Sequence, residues 1–384
     1  MAPASKAATA RPPEDLPASS WILIDPASGD VLAAEDPRSA FPVASATKLM
    51  TYYVSARRLR PEREVIAAPY DPTPGESLAG FVAGDTLTAR DVFYGLLVAS
   101  GNDAAAALAL AVAGSQSDFV SRMNAAADEL GLDETEYVDP IGIGSGNVSS
   151  ARDLADLATK LQGDELFREI VDTPRATLRS GTEPIRAENS NALVLDEPFV
   201  DGIKTGTTVE AGFVLVASGE KRGVRLISAV LGAPDESSRD SATLELLGYG
   251  FSLYERRTLV RAGDRVGSAP VADGSGRLFL EAATDLEEVA RMDQRVKVAL
   301  GALEPVSAPV EKGDPLGVAT VRLDGMKVGE VDVVAAQAVA GPLDQGPADT
   351  GTVPAWVWIA LTGALVASAL LAAAAIGPHR RGER

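Results

Sequence analysis

Apolar and polar positions follow different periods in successive parts of this chain. Trp21-Ile22-Leu23-Ile24-Asp25 and Val31-Leu32-Ala33-Ala34 flank Pro26-Ala27-Ser28-Gly29-Asp30, which predicts two strands joined by a glycine-containing turn. From Ser45 to about Leu59, the residues Leu49, Met50, Tyr53 and Val54 recur at helical spacing, and Pro61 supplies a stop. Residues 91–99 and 103–113 predict two further helices, interrupted by Ser100-Gly101-Asn102. Residues 117–130, 150–161 and 237–254 predict three more. Residues 200–208, 212–218 and 225–231 are rich in β-branched or apolar side chains between short turns, and fit three neighbouring antiparallel strands. The pattern is that of an α+β domain over residues 19–257, after a leader of 18 residues without periodicity.

Beyond Arg257 the period shortens. Residues 258–260, 265–270, 278–283, 296–300, 315–323 and 326–335 alternate as strands, divided by turn pairs such as Asp273-Gly274 and Asp324-Gly325. No long helix is evident, so a small all-β domain over 258–339 is expected, followed by a Gly-, Pro- and Asp-bearing linker at 340–352. Residues 353–376 carry no charge and are long enough to span a bilayer core of ~30 Å as a helix. Trp356 and Trp358 lie at one end, and His379, Arg380, Arg381 and Arg384 at the other. Aromatic belt and positive-inside tendencies together predict a single-pass transmembrane helix with a cytoplasmic tail at 377–384 and the bulk of the chain extracytoplasmic. The first twenty residues hold no apolar run of a signal peptide, so export is expected to depend on a signal upstream of Met1.

Composition narrows the chemistry. Thirty-five Lys and Arg against 54 Asp and Glu give a net charge of −19, which would repel a phosphate backbone, so nucleic acid is not expected as a partner. There is no cysteine, which removes thiol nucleophiles and thiolate metal sites. The one histidine, His379, follows the apolar run, so neither a Ser-His-Asp triad nor a two-histidine metal site can be built. No cofactor or metal is expected. A hydrolase made from this chain must take its base from Lys, Asp or Glu.

Ser45-Ala46-Thr47-Lys48 alone means little, because a serine three residues before a lysine is commonly a cap beside a solvated cation. Ser100-Gly101-Asn102 is loop composition, and Lys204-Thr205-Gly206 could be an edge-strand feature. In order, on a helix start, between two helices and on a strand, they form the S-x-x-K, S-x-N and K-T-G set of the β-lactamases and penicillin-binding proteins. The residue types suit histidine-free acyl transfer. Lys48, one turn from Ser45, can take the hydroxyl proton if partial burial and the nearby positive Lys204 lower its pKa. Ser100 can pass the proton to a leaving amine, and Asn102 can hold a substrate amide. The backbone N–H groups of Ser45 and Thr207 can supply an oxyanion hole.

Within that superfamily the chain resembles the low-molecular-mass D-alanyl-D-alanine carboxypeptidases. The resemblance runs from about Pro17 to Ala335 and rests on Ser45-Ala-Thr-Lys-Leu-Met-Thr, Ser100-Gly-Asn-Asp-Ala-Ala, Asn189-Ser-Asn191, Asp201-Gly-Ile-Lys-Thr-Gly-Thr-Thr, and Leu231-Gly-Ala-Pro followed by Arg239. It implies a β-lactamase/transpeptidase-like domain that removes the terminal D-alanine of peptidoglycan stem pentapeptides through an acyl-enzyme and is acylated by penicillins. It also implies that Lys204, Thr205, Thr207 and Arg239 bind the terminal carboxylate, for which an arginine fork is apt. The stretch 144–150 lacks a histidine that family members often carry there. Many members also have an amphipathic C-terminal helix where this chain is expected to span the bilayer. A class A β-lactamase is the nearest rival, but it needs a Glu-x-x-Leu-Asn segment, and the chain has no Leu-Asn pair. A DD-endopeptidase is a further enzymatic alternative. An inactive membrane-tethered peptidoglycan-binding module is the alternative of another class, opposed by the intact nucleophile and lysine.

Overall fold

In the computed structural model, which describes residues 11–272, 276–301 and 303–341, the strand Ser20–Asp25 is buried along its whole length. Alternation explains why every position is apolar or capped. Trp21 and Leu23 join a core on one face of a sheet, Ile22 and Ile24 a larger core on the other. The sheet has five antiparallel strands in the order Asp30–Glu35, Ser20–Asp25, Val224–Ala233, Gly212–Lys221, Val200–Thr208. Its first and last strands in sequence thus pair at the centre, with Ser20 opposite Leu231 and Ile24 opposite Ile227. Val200–Thr208 is left as an edge.

Helices cover both faces. Leu246, Leu247 and Phe251 of Glu236–Ser252 pack on the Trp21 side. Lys48–Ala56, Ala89–Leu97, Asn102–Ala113, Gln116–Leu130 and Ala151–Leu161 contribute to the other core. Five described helices begin with a side-chain cap: Thr88, Ser115, Ser150 and Asp235 accept hydrogen bonds from the amides of Asp91, Asp118, Asp153 and Ser238, and Asp164 accepts from those of Leu166 and Phe167. These caps set the starts that the apolar spacing located only to within a residue or two.

The helix expected from Ser45 begins later. Ala44–Thr47 forms a 3-10 turn, and the α-helix proper is Lys48–Ala56. The tighter turn is held by the amide of Ala46 on the Val43 carbonyl. Several short elements escaped the periodic reading, among them the helix Glu165–Val171 and the strand pairs Glu64–Ile66 with Thr86–Thr88 and Arg175–Leu178 with Ile185–Glu188. Three to seven residues are too few to display a period.

Among the described residues, 11–261, 285–299 and 320–330 form one compact unit, and those within 262–284, 300–319 and 331–341 the other. After residue 262 the described elements are all strands. Arg265–Pro270, Arg277–Ala282, Met326–Ala335, Pro315–Leu323 and Val296–Leu300 lie in that order in a second five-stranded sheet. The turn at Asp324-Gly325 joins two of them, both residues having positive φ. The strand Leu286–Arg291 was not anticipated, because its two central glutamates hide the alternation; it pairs with Tyr254–Val260. The leader residues 1–10, the Asp273-Gly274 turn and the expected span 353–376 with its tail lie outside the described residues. Leu16, in the expected leader, is buried with Trp21 and Leu23. Among the described residues, no single helix is long and apolar enough to cross a membrane.

Leu23 is fully buried on the interior strand Ser20–Asp25. Leu23→Ala is expected to destabilise the protein by about 2–5 kcal/mol, since the sheet between two helical layers cannot collapse into the void. Urea unfolding monitored by circular dichroism would read this, and a loss well below that range would mean the Trp21 face is loosely packed.

Candidate active site

Ser45 sits on the 3-10 turn, and Ala44 before it has a φ of 46°. That is left-handed backbone, unfavourable for a residue with a Cβ, held by close packing from two sides. On one side Gly142 approaches so closely that a Cβ there would lie 2.0 Å from the Ala44 carbonyl oxygen. On the other, Gly206 of the edge strand passes so near that a Cβ would meet the Val43 carbonyl at 2.8 Å and the Ser45 amide nitrogen at 3.0 Å. The glycine of the Lys-Thr-Gly triplet is therefore a steric requirement. It lets the strand slide against the serine and brings the neighbouring Thr207 beside it.

Lys48 is fully buried, and its Nζ lies 2.8 Å from Ser45 Oγ, 2.7 Å from Asn102 Oδ1 and 3.1 Å from the Ile141 carbonyl oxygen. A neutral lysine amine has two N–H groups and one lone pair. Asn102 Oδ1 and the Ile141 carbonyl can only accept, so they take the two N–H groups and the lone pair is left facing the serine hydroxyl. Burial lowers the Lys48 pKa to about 7, against the opposing negative charges of Asp139, Asp103 and Glu76. The lowering comes from burial, and not from the positive charge of Lys204 that was expected to share in it. Lys204, also fully buried, is itself lowered well below the ordinary lysine value by burial first, then by the positive charges of Lys48 and Arg239.

Two loops that the motifs do not contain complete the pocket floor. Asp139 accepts from the amides of Ile141, Gly142 and Gly144 at 2.6–2.7 Å and from Asn147 Nδ2 at 2.8 Å, which aims the Ile141 carbonyl at Lys48. Asp103, beside Asn102, accepts from the amides of Ala79, Gly80 and Phe81, and the Asn102 amide donates to the Ser77 carbonyl at 2.9 Å. Asn102 Nδ2 donates to Glu76 Oε2 at 2.8 Å, so one N–H of its amide remains for a substrate. Nothing periodic marks these loops. An Asp followed within a few residues by Gly was their only sign, and it reads equally well as an ordinary Asx turn.

The remaining expected residues gather at the same place with less direct contact. Ser100 is buried at the break between Ala89–Leu97 and Asn102–Ala113, with a φ of 58°. Neither its hydroxyl nor that of the exposed Thr207 has a hydrogen-bond partner among the described residues. Thr205 Oγ1 is 2.9 Å from Ser190 Oγ, and Lys204 Nζ donates to the Thr205 carbonyl at 2.9 Å. Asn189 and Asn191 brace this strand from behind, donating to the carbonyls of Val171, Thr173 and Gly202. Arg239 is 2% exposed and paired with Asp240 and Glu236, so its charge is already partly met by protein carboxylates.

The chain as a whole is similar to known proteins. A D-alanyl-D-alanine carboxypeptidase family model matches residues 6–235, and one for the C-terminal domain of penicillin-binding protein 5 matches residues 254–340. The D-alanyl-D-alanine carboxypeptidase DacF of Bacillus subtilis is 31% identical over 83% of this chain and 85% of its own length. DacA of Escherichia coli is 33% identical over 84% of this chain and 83% of its own. The crystal structure of penicillin-binding protein 5 from Haemophilus influenzae matches with a TM-score of 0.60 at 29% identity, covering 86% of this chain and 99% of that one.

Gly206→Ala should push the edge strand off the serine turn without unfolding the sheet. A displacement near 1 Å at the reacting atoms costs on the order of 10²-fold in rate. Labelling by a fluorescent penicillin is expected to slow by about that factor, with the circular dichroism spectrum unchanged; labelling at the wild-type rate would refute the steric role.

Proposed function

The chain belongs to the D-alanyl-D-alanine carboxypeptidase family, and from that premise we propose how its own residues carry out the hydrolysis. The enzyme is a serine hydrolase that removes the terminal D-alanine of peptidoglycan stem pentapeptides, and it is a penicillin-binding protein. The observation that carries the residue assignment is the contact of Lys48 Nζ with Ser45 Oγ at 2.8 Å, in a site where Lys48 is fully buried and has no carboxylate within ion-pair distance among the described residues.

In this reading Ser45 Oγ attacks the carbonyl carbon of the penultimate D-alanine while its proton passes to the neutral Lys48 amine. The amides of Ser45 and Thr207 receive the negative charge that develops on the carbonyl oxygen. Collapse of the tetrahedral intermediate breaks the C–N bond, and the leaving D-alanine nitrogen takes a proton by way of Ser100. Water then attacks the Ser45 ester as Lys48 accepts its proton; the bond from the carbonyl carbon to Ser45 Oγ breaks, Lys48 returns the proton to Oγ, and free Ser45 and neutral Lys48 are regenerated. The unpaired outer edge of Val200–Thr208 offers backbone groups to an extended peptide. Lys204, Thr205, Thr207 and Arg239 hold the terminal carboxylate, and the free Asn102 N–H holds a peptide carbonyl.

Residues 19–257 form the acyl-transfer domain in this proposal and 258–339 the appended β domain. The linker 340–352 leads to a transmembrane helix at 353–376, which puts the catalytic domain outside the cytoplasm. The uncharged run with tryptophans at its start and arginines after it supports that topology.

The activity test is release of D-alanine from a pentapeptide ending in D-Ala-D-Ala, with nitrocefin turnover followed in parallel. Wild type should release D-alanine and Ser45→Ala should not; fast lactam turnover without D-alanine release would sink the reading. Arg239→Ala should reduce kcat/KM for the peptide at least tenfold more than it reduces penicillin acylation, by the loss of about 1.5–3 kcal/mol in a charged hydrogen bond. Equal losses would remove Arg239 from carboxylate binding. For the topology, a chain ending at residue 352 should leave the membrane fraction that holds the full chain, and the reverse partition would count against a span.

A further inference from the structure

Glu76 lies outside all three motif segments, yet its carboxylate meets the second of them. Asn102 Nδ2 donates to Oε2 at 2.8 Å, and the Tyr70 hydroxyl donates to the same oxygen. The Thr73 amide donates to Oε1 at 3.1 Å, joined there by the Thr73 hydroxyl. Four donors meet the lone-pair sites of an ionised carboxylate, and none of them comes from a cation. The arrangement fixes the sense of the Asn102 amide. With Nδ2 on Glu76, Oδ1 must face Lys48, where it stands 2.7 Å from Nζ. A flipped amide would set Oδ1 against the carboxylate and Nδ2 against the lysine N–H groups, two repulsions in place of two bonds.

We propose that Glu76 is a positioning residue for acylation: it locks Asn102 in the orientation that receives a Lys48 N–H, and its fixed negative charge, one side chain beyond, sets how readily Lys48 takes the Ser45 proton. The proposal rests on the acyl-enzyme reading given above. Glu76 is not itself the base. Burial pushes its carboxyl up, but the hydrogen bonds from Thr73, Tyr70 and Asn102 outweigh burial and hold it at about 2, so it cannot take a proton from water near neutrality.

The charges facing Lys48 divide by what else they do. Asp139 holds the amides of residues 141–144, and Asp103 those of residues 79–81, so removing either would dismantle a wall of the site. Lys204, whose own pKa is lowered by burial and then by the charges of Lys48 and Arg239, faces it from the edge strand. Glu76 sits partly exposed on a loop without regular structure, and its own contacts beyond Asn102 stay within residues 70–76. Its charge can be changed while the walls stand.

The test is the second-order rate constant for penicillin acylation as a function of pH, from about pH 5 to about pH 9, for wild type, Glu76→Gln, Glu76→Ala and Ser45→Ala, with a melting curve for each. Wild type loses rate as pH falls through about 7, where Lys48 becomes protonated and has no lone pair for the serine. Gln retains an acceptor for Asn102 and removes the charge that raises the Lys48 pKa. Its maximum should stay within about twofold while its acid limb moves down by roughly half a unit to one unit. Ala should shift the limb the same way and lower the maximum about tenfold, as Asn102 is freed to flip. Profiles that superimpose on wild type overturn the proposal, as does a lowered maximum with an unmoved limb. Labelling of wild type no greater than that of Ser45→Ala is a different result: it removes the acyl-enzyme reading, and this proposal with it.

Discussion

The site depends on one buried amine. An ammonium group taken out of water without a carboxylate partner loses solvation that nothing nearby restores, and shedding its proton removes most of that cost. In the proposed mechanism, full burial of Lys48 therefore does the work that an imidazole does in other serine hydrolases. Burial cannot go unopposed, because an amine pushed too far down would be too weak a base. Asp139, Asp103 and Glu76 supply negative charge close enough to act on Lys48 but too far to pair with it, which leaves the balance at about 7.

Keeping that amine aimed at Ser45 explains much of the surrounding architecture. Its two N–H groups need acceptors that cannot donate, and these come from separate parts of the chain: Asn102 at the start of a helix and the carbonyl of Ile141 in a loop. Each is held by a carboxylate behind it, Glu76 for the side-chain amide and Asp139 for the loop. The left-handed conformation of Ala44 is maintained between Gly142 and Gly206, so the glycines allow backbone to close on the serine turn from both sides. The central sheet makes the last of these contacts reproducible, since Gly206 pairs with Val214 of a fully buried neighbouring strand segment and cannot drift along it.

A second group of charges, to which the proposed function assigns the substrate's carboxylate, lies beside the first. Lys204 is buried near Lys48 and Arg239 with the Thr205 carbonyl as its one hydrogen-bond acceptor among the described residues; burial lowers its pKa and repulsion lowers it further. A carboxylate entering here would relieve that repulsion, and so would be bound more strongly than by an exposed lysine. Arg239 is already neutralised in part by Glu236 and Asp240.

What the chain determined by itself was local or periodic. The strand pairs around Ser20–Asp25 and Val200–Thr208, the helices after Lys48, Asn102 and Asp235, and the run of strands after residue 262 all announce themselves by spacing, caps and turns, because those signals arise between residues a few positions apart. Ser45, Lys48, Asn102 and Lys204 could be named as a set since their chemistry admits few other uses in a chain with one misplaced histidine. The 3-10 turn at Ser45, the cause of the Lys48 shift, and the parts played by Glu76, Asp139, Gly142 and Gly206 depend on contacts across tens to hundreds of residues. A glutamate in a Pro- and Gly-rich loop looks like any solvated side chain until folding places Asn102 against it. Tertiary structure alone decided which ordinary residues surround the unusual ones, because burial and distance, the two quantities that set a lysine's basicity, exist only once the chain has packed.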